Sequence, residues 1–131
     1  MDLSKLKTSK SEQGAVLQVL HPSTEEPIKG MTITLLGQDS SVYRKIQLSK
    51  QQAALNRMAK GKKVADLNAE KLAEDTLDDL VSLTIDWTGF ELDGKKLECT
   101  PENVLNVYSD VGLSWLKEQV NEFIGDRANF L

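Results

Sequence analysis

The stretch from Leu77 to Ser109 constrains the fold more than any other, because the chain must turn a corner there and start again. Leu77, Leu80, Val81, Thr84, Ile85 and Trp87 recur at three- and four-residue steps, which is the period of a helix face. The pattern stops at Gly89, passes through an Asp93-Gly94 turn and resumes at Thr100-Pro101-Glu102. That restart predicts a helix N-terminus. Thr100 can accept from free backbone donors, Pro101 loses no hydrogen bond at the first helical position, and Glu102 faces the positive end of the helix dipole. Trp87 and Phe90 are large apolar groups placed to pin the helix end against its neighbours.

Around this corner the periodicity predicts an α+β protein, with an N-terminal β-hairpin packed on a mainly helical body of about four helices. Residues 1–13 are polar and lysine-rich and read as a flexible arm, and residues 14–131 read as a single domain. Ala15 to Leu20 is one apolar run. Met31, Ile33 and Leu35 alternate with Thr32 and Thr34 in another. With turn formers at His21-Pro22 and Glu25-Glu26-Pro27 between them, a hairpin over about 15–36 follows. Helices are expected over about 41–60, 67–87, 101–108 and 112–125. The first, capped by Asp39 or Ser40, carries a thin stripe of Val42, Ile46, Leu48, Leu55 and Met58. In the last, Leu113, Leu116, Val120 and Phe123 make an amphipathic face, and with Trp115 they form a candidate packing or partner surface alongside Trp87 and Phe90.

Charge is sorted along the chain. From Ser40 to Ala65 every charged residue is basic, including Arg44, Lys45 and Arg57. From Asp66 to Asp93 all but Lys71 are acidic, including Glu74, Asp78 and Asp79. One reading is a helix pair whose faces attract each other. The other is two patches through which copies associate head to tail, a geometry that generates rings or open spirals and weakens as salt rises. The net charge of −4 disfavours a general nucleic-acid binder, and base stacking is poorly served on the basic helix, where Tyr43 is the one aromatic. A single cysteine, Cys99, excludes an internal disulfide and fits a reducing cytoplasm. No apolar run approaches the ~20 residues of a membrane span, and the first residues lack a signal-peptide pattern.

Chemistry finds little to work with. His21 is the only histidine, and no nucleophile elbow accompanies it. Cys99 reads as a small apolar residue beside a helix cap, and the carboxylate pairs on the acidic helix read as solvated charge. Lys62-Lys63 has no phosphate-binding loop around it. The expectation is a protein without catalytic residues, cofactor or metal.

Three segments in order, residues 21–45, 83–108 and 115–131, resemble the tail assembly chaperones of long-tailed bacteriophages. The shared features are a strand pair around a Pro-containing loop, a Trp-Xaa-Gly corner (Trp87 to Gly89) with its Asp-Gly turn, the Thr-Pro-Glu-Asn start at Thr100, and a terminal helix ending in Asn129-Phe130. The resemblance implies a small α+β protein of the infected host's cytoplasm, absent from the mature virion. It implies as partners the tape-measure protein, the major tail-tube protein and further copies of itself. In that family a ribosomal frameshift often appends a second domain, and this chain looks like the shorter product. The resemblance carries no catalytic residues. The alternative is a structural tail component, a tube or completion protein that stays in the particle.

Overall fold

The computed structural model describes residues 1–59 and 69–131, with side chains described for 1–59 and 76–131. Its class is α+β, and the sheet has one strand more than the expected hairpin. Strand β1 (Ala15–Leu20) pairs antiparallel with β2 (Pro27–Leu35), with Leu17 opposite Ile33. Strand β3 (Thr84–Thr88) then lies antiparallel on the other side of β2, with Trp87 opposite Ile33, in the order β1-β2-β3. The helix expected over 67–87 therefore stops early: its described part, α3 (Ala69–Leu83), gives way to strand without a loop, and the expected start near residue 67 lies outside the described residues. The reason is local chemistry joined to a vacant edge. Thr84, Ile85 and Thr88 are β-branched, and β2 offers unpaired backbone groups that a strand satisfies. The Leu36 amide also donates to the Leu83 carbonyl at 2.8 Å, fastening the helix end to the sheet.

One face of the sheet is dry. Val19, Ile33, Leu35 and Trp87 join Leu80, Leu83, Val104, Val107, Tyr108, Leu116, Val120 and Ile124 in a single core. The opposite face carries Thr32, Thr34, Val16 and Thr88, with the Thr32 and Thr88 hydroxyls bonded at 2.7 Å. This is the inside–outside alternation of a sheet covered on one side. Below the corner, β4 (Glu91–Leu92) and β5 (Lys95–Lys96) form a small hairpin through Asp93 (φ +52°) and Gly94 (φ +80°). Consecutive positive φ values are those of the tight turn that an Asp-Gly pair favours.

The remaining elements are helical. A single turn, α1 (Lys10–Gln13), precedes β1; the long α2 (Ser41–Ala59) follows β2; α4 (Pro101–Ser109) and α5 (Ser114–Gly125) close the core. Two caps match the sequence: Thr100 accepts from the Asn103 amide at 3.2 Å and Ser40 from the Tyr43 amide at 3.2 Å. Asp110 accepts from the Gly112 amide at 2.9 Å, which caps the short turn Val111–Leu113, and α5 itself begins without a side-chain cap. Residues 8–13, expected to be loose, are docked. Glu12 accepts from the Ser41 amide at 2.7 Å and the Ser41 hydroxyl at 2.6 Å, and Thr8 donates to Asp39 at 2.7 Å. Asp39 is thus engaged with the arm, and of the two residues expected to cap α2 it is Ser40 that does so.

Candidate functional site

Two sets of residues were candidates from the sequence, and the fold treats them differently. Trp87 and Phe90 are buried and stack with ring centroids 4.3 Å apart and planes 2° from parallel. Trp87 Nε1 donates to the Leu97 carbonyl at 2.9 Å, which ties strand β3 to the segment entering α4. Leu116 and Val120 are buried in the same core, while Leu113, Trp115 and Phe123 are half-buried and packed against it. Phe123 meets Phe130 edge-on at 5.4 Å. The apolar face of α5 is therefore spent on closing the protein's own core. Within one chain this set packs on the core, with Leu113, Trp115 and Phe123 keeping part of their surface in solvent.

The charged residues sit on two helices that face each other. A cleft of about 680 Å³ between α2 and α3 is lined by Val42, Ile46, Lys50, Arg57, Asp78 and Asp79. Lys50 and Asp79 form an ion pair across it. At least part of the opposite charge is thus satisfied within one chain, although such a pair at the surface is worth at most ~1 kcal/mol. Lys45 also borders the cleft, and Arg44 is exposed near the start of α2. The Glu74 side chain and the basic residues from Lys60 to Lys63 lie outside the described residues.

What the sequence presents as one stripe on α2 is two faces. Val42 and Ile46, with Tyr43, pack against the core. Leu48, Leu55 and Met58 are 54%, 59% and 74% exposed, and no residue of this helix is buried. Successive residues turn by about 100° around a helix. Leu48 and Leu55 therefore coincide to within about 20°, while Val42 and Ile46 stand about 120–180° away from them. A helical projection of residues 41–59 separates the two sets, which a list of apolar positions does not.

The nucleophilic and ligating groups are scattered. His21 is exposed, and its Nδ1 accepts from the Ser23 amide at 3.1 Å, closing the loop between β1 and β2. Cys99 is half-buried, and burial pushes its thiol pKa up, with the nearby Asp86 charge adding to the rise. A raised thiol pKa lowers the thiolate fraction and so its reactivity. Among the described residues no group of three His, Cys, Asp or Glu side chains converges on a point where a metal ion could sit. No described helix is long and apolar enough to cross a membrane. No protein-family model, curated protein or solved structure matches this chain.

Proposed function

We propose that this chain is a tail assembly chaperone of a long-tailed bacteriophage. In this reading it is a non-catalytic, self-associating protein of the host cytoplasm. It binds the tape-measure protein, helps recruit tail-tube subunits while the tube grows, and is left out of the finished virion. The resemblance of three ordered segments supports the reading. The observation that carries it physically is α2: nineteen residues, none buried, with three large apolar side chains in solvent. A protein that holds a long apolar chain during assembly needs exposed apolar surface of modest affinity. Such a surface releases its client because it lacks the enclosed, desolvated anchor pockets that make interfaces permanent.

Co-expression with the tape-measure protein of the same phage tests this. The expected result is co-purification of the two and a soluble tape-measure protein, which aggregates when made alone. An insoluble, unbound tape-measure protein in the presence of this chain would overturn the reading. The alternative, a structural component, gains some support from the third strand, because tail-ring proteins extend sheets between subunits. Against it, the end of edge strand β1 is covered: Gln119 of α5 accepts from the Leu20 amide at 3.0 Å and donates to the Leu20 carbonyl at 2.8 Å. Mass spectrometry of purified virions separates the two, since a structural component is present in every particle.

A further inference from the structure

We propose that two copies of this chain pair edge to edge through β1, antiparallel about a two-fold axis at Val16, which joins their three-stranded sheets into one. The inference gives the self-association in the proposed function a surface, but it is carried by the backbone of β1 alone. The Leu36 amide turns toward the β3 side, donating to the Leu83 carbonyl. Alternation then turns the backbone groups of Leu35 and Ile33 toward β1, where they face Ala15 and Leu17. Val16 and Gln18, between and beyond those two, point their N–H and C=O groups out of the sheet, of which β1 is an edge. At Leu20, next in the same outward series, the Gln119 side chain supplies the two bonds that a residue of a neighbouring strand would make. Among the described residues nothing does so for Val16 or Gln18. An extended backbone is what completes such groups.

The open stretch fits a second copy of itself. With the axis at Val16, each Val16 exchanges both backbone bonds with its mate, and each Gln18 amide donates to the Gly14 carbonyl of the other copy. At Gly14 (φ +99°) the chain leaves the line of the strand toward Thr34 and Ile85, the side chains that a Cβ there would strike. The second copy therefore departs before it reaches the place Gln119 occupies. An axis one residue on, at Leu17, would instead set Gly14 of one copy where Gln119 of the other sits. The side chains agree with the register. Val16, 61% exposed, meets its mate on the outward face, and half-buried Leu17 comes beside Ala15 of the other copy on the dry face. Strand β1 holds no charged residue and no proline, the devices by which monomeric proteins keep an edge from pairing. The opposite edge of the sheet offers no equivalent, because the Trp87 amide on β3 already donates to the Asp86 carboxylate at 2.9 Å. Head-to-tail continuation of the sheet is thereby disfavoured, and the pairing closes at two copies. Such short strands bury less than the ~800 Å² per partner of a standard interface, so the dimer dissociates on dilution.

Sedimentation equilibrium of the full chain over a wide concentration range is the first test, and the mass should climb from 14.6 kDa toward twice that value. Val16→Lys sets two like charges directly opposite each other at the axis and should weaken association by roughly tenfold or more. Its circular dichroism spectrum should match that of the parent, since the side chain already stands in solvent. Hydrogen exchange reads the backbone itself: the Val16 and Gln18 amides should be protected in concentrated solution and open on dilution. In a Cys99→Ala background, Val16→Cys should cross-link two chains on oxidation, because residues paired in this way stand ~5.5 Å apart at Cα, within disulfide reach. Leu55→Cys, exposed on α2, is the control that should not. A chain that stays monomeric throughout, association that Val16→Lys leaves intact, Val16 and Gln18 amides that exchange alike at both concentrations, or Val16→Cys cross-linking no better than Leu55→Cys would each overturn the pairing. A strict monomer that still co-purifies with the tape-measure protein defeats this inference alone. A dimer that does not co-purify with it defeats the chaperone reading alone.

Discussion

A methyl group on Gly89 would run into the backbone carbonyl of Gly30 on β2, and the residue sits at φ +76°, where L side chains are strained. Gly94, at φ +80°, has nothing within 4 Å of where a Cβ would stand. The two positions separate conformational strain from steric exclusion. Gly94→Ala should cost about 1–2 kcal/mol, the backbone term alone, while Gly89→Ala should cost about 2–4 kcal/mol because β2 must also move. Urea unfolding of both variants checks the order. Tyr108 provides a pH signature at the same scale. Its hydroxyl lies 2.7 Å from Thr84 Oγ1, whose own proton goes to the Leu80 carbonyl at 2.8 Å, so Tyr108 is the donor. Burial pushes its pKa up from 10.0 to about 12. The folded state thus holds this proton more tightly than the unfolded state does. The contribution is fully present below pH 10 and is lost as pH rises from there through about 12, a fall of ~2–3 kcal/mol. Tyr108→Phe should flatten that part of the stability–pH curve, read by urea midpoints at a series of alkaline pH values.

Elements show which local signals survive contact with the rest of the chain. The β1 and β2 runs and the Thr100-Pro101-Glu102 start were legible because alternation, caps and proline act within a few residues. The boundary at Leu83 was not. Leu80, Val81, Thr84 and Trp87 satisfy a helical period, and Leu83 and Trp87 also face the core as a helix end and a strand do. The free edge of β2, some fifty residues away, decides between them. The α2 surface was half legible: its apolar residues were identified, but the separation of Val42 and Ile46 from Leu48 and Leu55 depends on which face meets the core. Two predictions belong here. Gln119→Ala should speed amide exchange at Leu20 and cost about 0.5–1.5 kcal/mol, since both groups it covers return to water. Glu12 sits before the first turn of α2, and its bond from the Ser41 hydroxyl, followed by that from the Ser41 amide, lowers its pKa. A depressed folded pKa means a stabilising contribution present above the ordinary glutamate range and lost as pH falls through the folded value. Glu12→Gln should abolish that acid dependence and raise amide exchange in the first turn of α2, both measurable by NMR.

At the scale of the whole molecule, both chain termini converge on the connection between β2 and α2. The Gly37 amide donates to the Ser11 carbonyl at 3.0 Å, and Asp39 accepts from Thr8 on one side and from Arg127 at 3.1 Å on the other. Ser11 and Phe130 are both buried, and a Cβ at Gly37 would strike the Ser11 hydroxyl and lie 3.0 Å from the Phe130 ring. Gly37 therefore serves close approach, allowing a one-turn helix and an aromatic ring to share one spot over the connection. The arm and the tail each cover surface that the other borders, so neither is an independent appendage. Phe130→Ala should cost about 3–5 kcal/mol, the usual loss for a buried ring. Removing residues 1–13 should also destabilise, through the lost contacts to Gly37, Asp39 and Ser41. Because Ser11 and Phe130 meet at Gly37, the two losses should not add: once the ring is gone, the arm has less to close over. A double-mutant cycle by urea unfolding should give a coupling of ~0.5–3 kcal/mol, whereas strict additivity would mean that the two termini stabilise separate parts of the fold.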